Sequence, residues 1–99
     1  MPKILVLDDD QNIRDMLMIM LTREGYDVQA YGDPFKAMQG LRKEPFDLII
    51  TDLKMPRMDG LEFLQRAKKI APETVVILIT AYASGETAVA AMKEGAFDY

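Results

Sequence analysis

Short apolar runs alternate with amphipathic segments along this chain, and that alternation limits the fold more than any other feature. Lys3-Ile4-Leu5-Val6-Leu7 is an apolar run bounded by charge, and Phe46 to Asp52 is another. Thr74 to Thr80, which holds Val75-Val76-Ile77-Leu78-Ile79, is uncharged and the richest in β-branched residues. Runs of this kind belong to strands buried on both faces. Helix-length segments lie between them. Residues 11–24 put Ile13, Leu17, Met20 and Leu21 on one stripe, and Gly25 stands at the stop position. Asp27 to Tyr31 predicts a short second strand. Asp33-Pro34 then pairs an N-cap with proline at the first helical position, opening a helix that carries Phe35, Met38 and Leu41. Leu61 to Ile70 predicts a third helix with Leu61, Phe63, Leu64 and Ala67 apolar, ended by Pro72. A last one opens near Ser84 and stops at Gly95. The pattern predicts right-handed βαβ crossovers and an α/β fold with a parallel sheet covered on both faces. Ligands of such a sheet bind outside the carboxyl ends of its strands, near the point where strand order reverses.

Three aspartates fall at those ends. Asp8 and Asp9 close the first run and Asp52 closes the run Asp47-Leu48-Ile49-Ile50-Thr51. If the two runs are neighbouring parallel strands, the three carboxylates meet at one sheet edge. Crowded carboxylates repel and lose hydration, so they are seldom gathered without a cation or a reaction to serve. The chain has no His and no Cys, which excludes thiol and imidazole chemistry and leaves oxygen-ligand metal binding and carboxylate nucleophilicity. For Asp8 and Asp9 alone, a structural role is as good an account as a functional one; Asp52 at the matching strand end tips the balance. Asp10 is well placed to cap the helix over 11–24, and Asp59-Gly60 punctuates the entry to the third helix. The net charge is −4 with Lys and Arg scattered, so direct nucleic-acid or anionic-membrane binding has no electrostatic footprint. No apolar stretch approaches the ~20 residues that span a bilayer, and no signal peptide is visible, which predicts a soluble cytoplasmic domain.

Four features occur together along residues 3 to 99: Val6-Leu7-Asp8-Asp9-Asp10, the loop Asp52-x-x-Met55-Pro56-x-Met58-Asp59-Gly60, Thr80-Ala81 after an apolar strand, and Gly95-Ala96-x-Asp98-Tyr99. In this order and spacing they resemble the receiver domain of bacterial two-component response regulators. The resemblance implies a flavodoxin-like, doubly wound parallel sheet with strand order 2-1-3-4, and a single receiver domain over 1–99 that stops before the family's fifth strand and fifth helix. It implies that Asp52 accepts a phosphoryl group from a phosphohistidine on a sensor histidine kinase. Mg²⁺ is then held by Asp9 and Asp52 directly, by Asp8 through water, and by the Lys54 backbone carbonyl, with Met55 and Pro56 fixing the shape of the loop. Thr80 is implied to donate its hydroxyl to a phosphoryl oxygen and to act as a switch together with Tyr99. Lys54 and Tyr82 flank the line of water attack. The family also carries a lysine a few residues beyond the tyrosine, and this chain ends at Tyr99; the expectation is that it is phosphorylated poorly until extended through the fifth strand and helix.

The stretch from Tyr82 to Tyr99 is similar to receivers of the nitrogen-regulation type, which implies a transcription-regulating parent with an AAA+ ATPase and a DNA-binding output domain. An uncovered edge strand and sheet face would permit self-association. The expected role is thus a signalling switch that is not an enzyme beyond its own phosphoryl transfer and dephosphorylation. Two alternatives stand beside it. A Mg²⁺-dependent aspartyl-phosphate phosphohydrolase also uses an Asp at a strand end, but the position two residues on, where such enzymes carry a second acid, is Lys54. A receiver-like interaction module that never meets phosphate is the other.

Overall fold

In a computed structural model, residues 2–52 and 57–79 are described. In chain order they form β1 (Lys3–Leu7), α1 (Gln11–Arg23), β2 (Asp27–Tyr31), α2 (Pro34–Lys43), β3 (Leu48–Asp52), α3 (Gly60–Ile70) and β4 (Val75–Ile79). The four strands make one sheet in the order β2-β1-β3-β4, and every pairing is parallel. This is the α/β architecture that the sequence pattern predicts, with the strand order that the resemblance implies.

Period-two burial divides the sheet into two faces. Leu5, Leu7, Ile49, Val76 and Leu78 pack with Ala37, Met38 and Leu41 of α2 and Phe63, Leu64 and Ala67 of α3. Each large apolar side chain buried there contributes about 1.5–3 kcal/mol. Ile4, Val6 and Ile50 face the other way and pack with Leu17 and Leu21 of α1. α1 and α3, which follow the neighbouring strands β1 and β3, pack on opposite faces of the sheet, the arrangement that makes a crevice at the carboxyl edge of open α/β sheets.

All three described helices are capped by aspartate. Asp10 accepts from the Asn12 N–H, Asp33 from Phe35 and Asp59 from Glu62, each satisfying one of the orphan donors at a helix start. Gly25, with φ of 92°, closes α1: its N–H donates to the Thr22 carbonyl and the Tyr26 N–H to the Leu21 carbonyl. Only a residue at ease in the left-handed region allows that arrangement.

The stripe expected on α1 is half-realised. Leu17 and Leu21 meet the sheet, whereas Ile13 and Met20 are 36% and 54% exposed. On this face α1 packs against β1 and β2, so an apolar stripe wider than that seam finds no partner among the described residues. Val75 and Ile79 of β4 lie on the same side and are also exposed. The third strand begins at Leu48 rather than Phe46, because the Phe46 carbonyl accepts from the buried Thr74 hydroxyl at 2.9 Å and its ring plugs the amino edge of the main core. A shallow groove of about 560 Å³ lies at that amino edge, lined by Phe46, Asp47, Ile70 and Thr74 among others, at the opposite end of the sheet from Asp8, Asp9 and Asp52.

Candidate functional site

Parallel register brings the acids together. Leu7 pairs with Thr51, and one step further along each strand stand Asp8 and Asp52. The Asp8 N–H donates to the Tyr31 carbonyl at 3.1 Å, so Asp8 prolongs the ladder from β1 to β2 before the chain turns away. Asp9 follows in the turn. One carboxylate oxygen from each of Asp8, Asp9 and Asp52 lies within 4.8 Å of one from each of the others.

The three acids differ in surroundings. Asp8 is 5% exposed, Asp52 is half-buried at the end of its strand, and Asp9 is exposed. The Asp8 Oδ1 accepts the Asp10 N–H at 2.9 Å. Burial pushes the Asp8 carboxyl above the ordinary aspartate range; the Asp10 N–H opposes that, and the charges of Asp52, Asp9 and Asp10 reinforce it. One buried acid is therefore crowded by like charge, which is the electrostatic condition that a bound cation relieves. In a chain with no His and no Cys, these three carboxylates form a hard oxygen set suited to Mg²⁺ or Ca²⁺.

The chain's kinship accords with this geometry. The family model for the response regulator receiver domain matches residues 4–99. The chain belongs to that family. The receiver is 41% identical over 97 residues to the response regulator protein PilR of Pseudomonas aeruginosa, covering 98% of this chain and 22% of PilR. It is 41% identical over 96 residues to the transcriptional regulatory protein ZraR of Escherichia coli, covering 97% of this chain and 22% of ZraR. The solution structure of the beryllofluoride-activated NtrC4 receiver domain dimer is 36% identical with a TM-score of 0.92, covering 98% of this chain and 80% of that one. The receiver thus spans about a fifth of the length of these curated relatives. The flavodoxin-like fold and the likeness to nitrogen-regulation-type regulators that its sequence implies both hold, and the chain is a receiver of the two-component signalling type.

Of the site residues named from sequence, the structure brings Asp8, Asp9 and Asp52 together. Lys54, Met55, Pro56, Thr80, Tyr82 and Tyr99 lie outside the described residues of the receiver. Two arginines near the carboxyl edge escaped the sequence reading. Arg14 Nη1 donates to the Asp8 carbonyl at 2.8 Å. Arg57, just after the loop that follows Asp52, pairs with Asp33 Oδ2 at 2.8 Å and sits 4.7 Å from the Phe35 ring centroid, joining the β3–α3 connection to the start of α2. A clue to Arg14 was available: a cation in the first turn of a helix opposes the helix dipole, so it needs a local partner. No described helix of the receiver is long and apolar enough to cross a membrane.

Proposed function

We propose that this receiver is a phosphorylation-controlled switch in which Asp52 is the phosphoacceptor and Asp8, Asp9 and Asp52 hold Mg²⁺. The observation that carries the reading is the meeting of three carboxylates, from two neighbouring strand ends, within 4.8 Å. Their environments support this division of roles. Asp8 is nearly dewatered and has one oxygen committed to the Asp10 N–H, which makes it an anchor for a cation rather than a nucleophile. Asp9 sits in an exposed turn. Asp52 is the last residue of β3 and half-exposed, which supports access of a phosphodonor to a carboxylate held at a strand end.

In the reaction, a carboxylate oxygen of Asp52 forms a bond to phosphorus as the bond between phosphorus and the ring nitrogen of the kinase phosphohistidine breaks. The nitrogen keeps the electron pair, and Asp52 becomes an acyl phosphate. A carboxylate is a weak nucleophile, so the step depends on positioning and on charge neutralisation at the phosphoryl oxygens. That neutralisation is the chemistry Mg²⁺ supplies when bound, with the Lys54 carbonyl as a further oxygen. Thr80 donates its hydroxyl to the phosphoryl group and moves with Tyr99, while Met55, Pro56 and Tyr82 shape access to it. The switch acts on an output domain in a longer protein, here a cytoplasmic transcription regulator with an AAA+ ATPase and a DNA-binding module. The likeness to ZraR, a transcriptional regulatory protein, supports the transcriptional part of that extension. Self-association through the exposed side of β4 belongs to the same proposal, and a concentration-independent monomer in light scattering would remove it.

The test is incubation with a small-molecule acyl phosphate and Mg²⁺, read by intact mass and by hydroxylamine trapping. One phosphoryl group on Asp52, absent from Asp52→Asn and after chelation, is the expected result. No label on wild type when the domain is tested within its full-length protein, or label that survives either the substitution or the chelator, overturns the reading.

A further inference from the structure

We propose that Arg14 is a positioning residue for the acidic cluster, and that position 32 is glycine because the Arg14 guanidinium occupies the space of its side chain. Resting on the cluster as a divalent-cation site, the inference adds what holds that site in shape. Arg14 Nη1 donates to the Asp8 carbonyl at 2.8 Å. That carbonyl belongs to the same rigid peptide plane as the Asp9 N–H, so fixing the plane fixes the direction in which Asp9 leaves the strand. The Asp10 N–H meanwhile holds the Asp8 carboxylate from the opposite side of the turn. One turn thus has both its backbone and its first acid pinned, and the second acid is carried by the result.

Gly32, in the neighbouring β2–α2 connection, supplies the other wall. A Cβ built there would lie 2.6 Å from Arg14 Nη1 and 3.0 Å from Arg14 Cζ. Gly32 does not adopt a positive φ, so its backbone does not call for glycine; what a side chain there would displace is the Arg14 guanidinium, the end of a flexible side chain. The arginine is thereby held between the β1–α1 turn and the β2–α2 connection, both at the carboxyl edge. Its approach to Asp8 from the backbone side has a further consequence. Among the described residues, the charges that bear on the Asp8 carboxylate are those of Asp52, Asp9 and Asp10, and Arg14 bonds the Asp8 carbonyl rather than its carboxylate, so it stiffens the turn without standing in the place of the cation. A cation aimed at the carboxylates themselves would compete with the metal; a donor behind the peptide does not.

The experiment measures Mn²⁺ affinity of the whole chain by electron paramagnetic resonance of the free ion, for wild type, Arg14→Met, Arg14→Lys, Gly32→Ala and the double variant Arg14→Met/Gly32→Ala. Far-ultraviolet circular dichroism at the working temperature establishes that each is folded. Groups that orient metal ligands from behind change affinity by about tenfold or more when removed, so Arg14→Met is expected to bind about tenfold more weakly. Gly32→Ala should weaken binding although Arg14 is still present, and should have no effect once Arg14 is methionine. Arg14→Lys, which keeps a donor, should recover part of the affinity. That dependence of Gly32→Ala on the residue at position 14 is what a general loss of stability would not produce. Affinity of Arg14→Met within about twofold of wild type, or an equal Gly32→Ala effect in both backgrounds, overturns the proposal; if Arg14→Met does not fold, unaltered binding by Gly32→Ala does so. Asp9→Asn separates the two levels: if it weakens Mn²⁺ binding and Arg14→Met does not, the cluster stands and the positioning role falls. If wild type binds no Mn²⁺, both fall.

Discussion

Replacing Asp8 by asparagine should make the metal-free protein more stable at neutral pH. Asparagine has nearly the shape of aspartate and keeps an oxygen to accept the Asp10 N–H, now at 2.9 Å. What it removes is charge. Asp8 is 5% exposed and has an oxygen within 4.8 Å of oxygens on both Asp9 and Asp52. Two unit charges at that separation repel by about 3 kcal/mol at an effective dielectric constant near 20. Asp9 is exposed, so water screens its share heavily, and the remaining side chains relax apart; the expected net gain is about 1–3 kcal/mol. Its dependence on pH follows from the direction of the Asp8 shift. Burial, aided by like charge, raises this carboxyl in the folded state above its ordinary value, so the folded protein holds the proton more tightly than the unfolded chain. The stability this group contributes is present below the ordinary aspartate value and is lost as pH rises through the folded one. The advantage of Asp8→Asn should therefore be absent in strong acid and reach its full size above the raised value. Urea unfolding followed by circular dichroism, in chelator and at several pH values, measures it. Added Mg²⁺ should narrow the difference by stabilising wild type in proportion to its binding. Equal stabilities at neutral pH, or an advantage that does not change with pH, would refute the reasoning.

Phe63 is fully buried between α3 and the sheet, and Phe63→Ala should cost about 3–5 kcal/mol in the same unfolding assay. Asp33 both caps α2 and receives Arg57, so Asp33→Ala should cost about 1 kcal/mol, mostly from the cap. Arg57→Ala, with a side chain 64% exposed, should cost less than about 1 kcal/mol, and a double-mutant cycle on the pair separates the two contributions.

What the sequence disclosed and what it hid divide along physical lines. Local chemistry was legible: the caps at Asp10, Asp33 and Asp59 and the stop at Gly25 occur where short-range hydrogen bonding demands them. β1 and β3 were legible because apolar runs buried on both faces leave a continuous signal. Burial on α1 was not, since Ile13 and Met20 carry the same apolar signal as Leu17 and Leu21 and only the partner surface decides which are covered. Asp8, Asp9 and Asp52 were found because parallel strands place equivalent ends together. Arg14 and Gly32 were missed because neither a side chain reaching a backbone carbonyl six residues earlier nor a glycine that makes room for another residue's guanidinium has a periodic signature.

The unequal burial of the three acids bears on how such a site can be both costly and useful. Three exposed carboxylates would cost little and bind a cation weakly, because water would screen attraction and repulsion alike. Three buried ones would take up protons instead of the metal. Here Asp8 is buried and crowded while Asp9 is exposed and Asp52 half-buried, so a cation bound there would meet one carboxylate in a low-dielectric setting and two in contact with water. The repulsion that destabilises the empty cluster is then the same interaction whose relief favours the metal, and protons compete for it most directly at Asp8. A fold with α1 and α3 on opposite faces of the sheet supplies this gradient of exposure at the ends of β1 and β3. Asp8 lies under the turn that Arg14 and the Asp10 N–H hold in place, whereas Asp52 ends its strand at the mouth of the crevice.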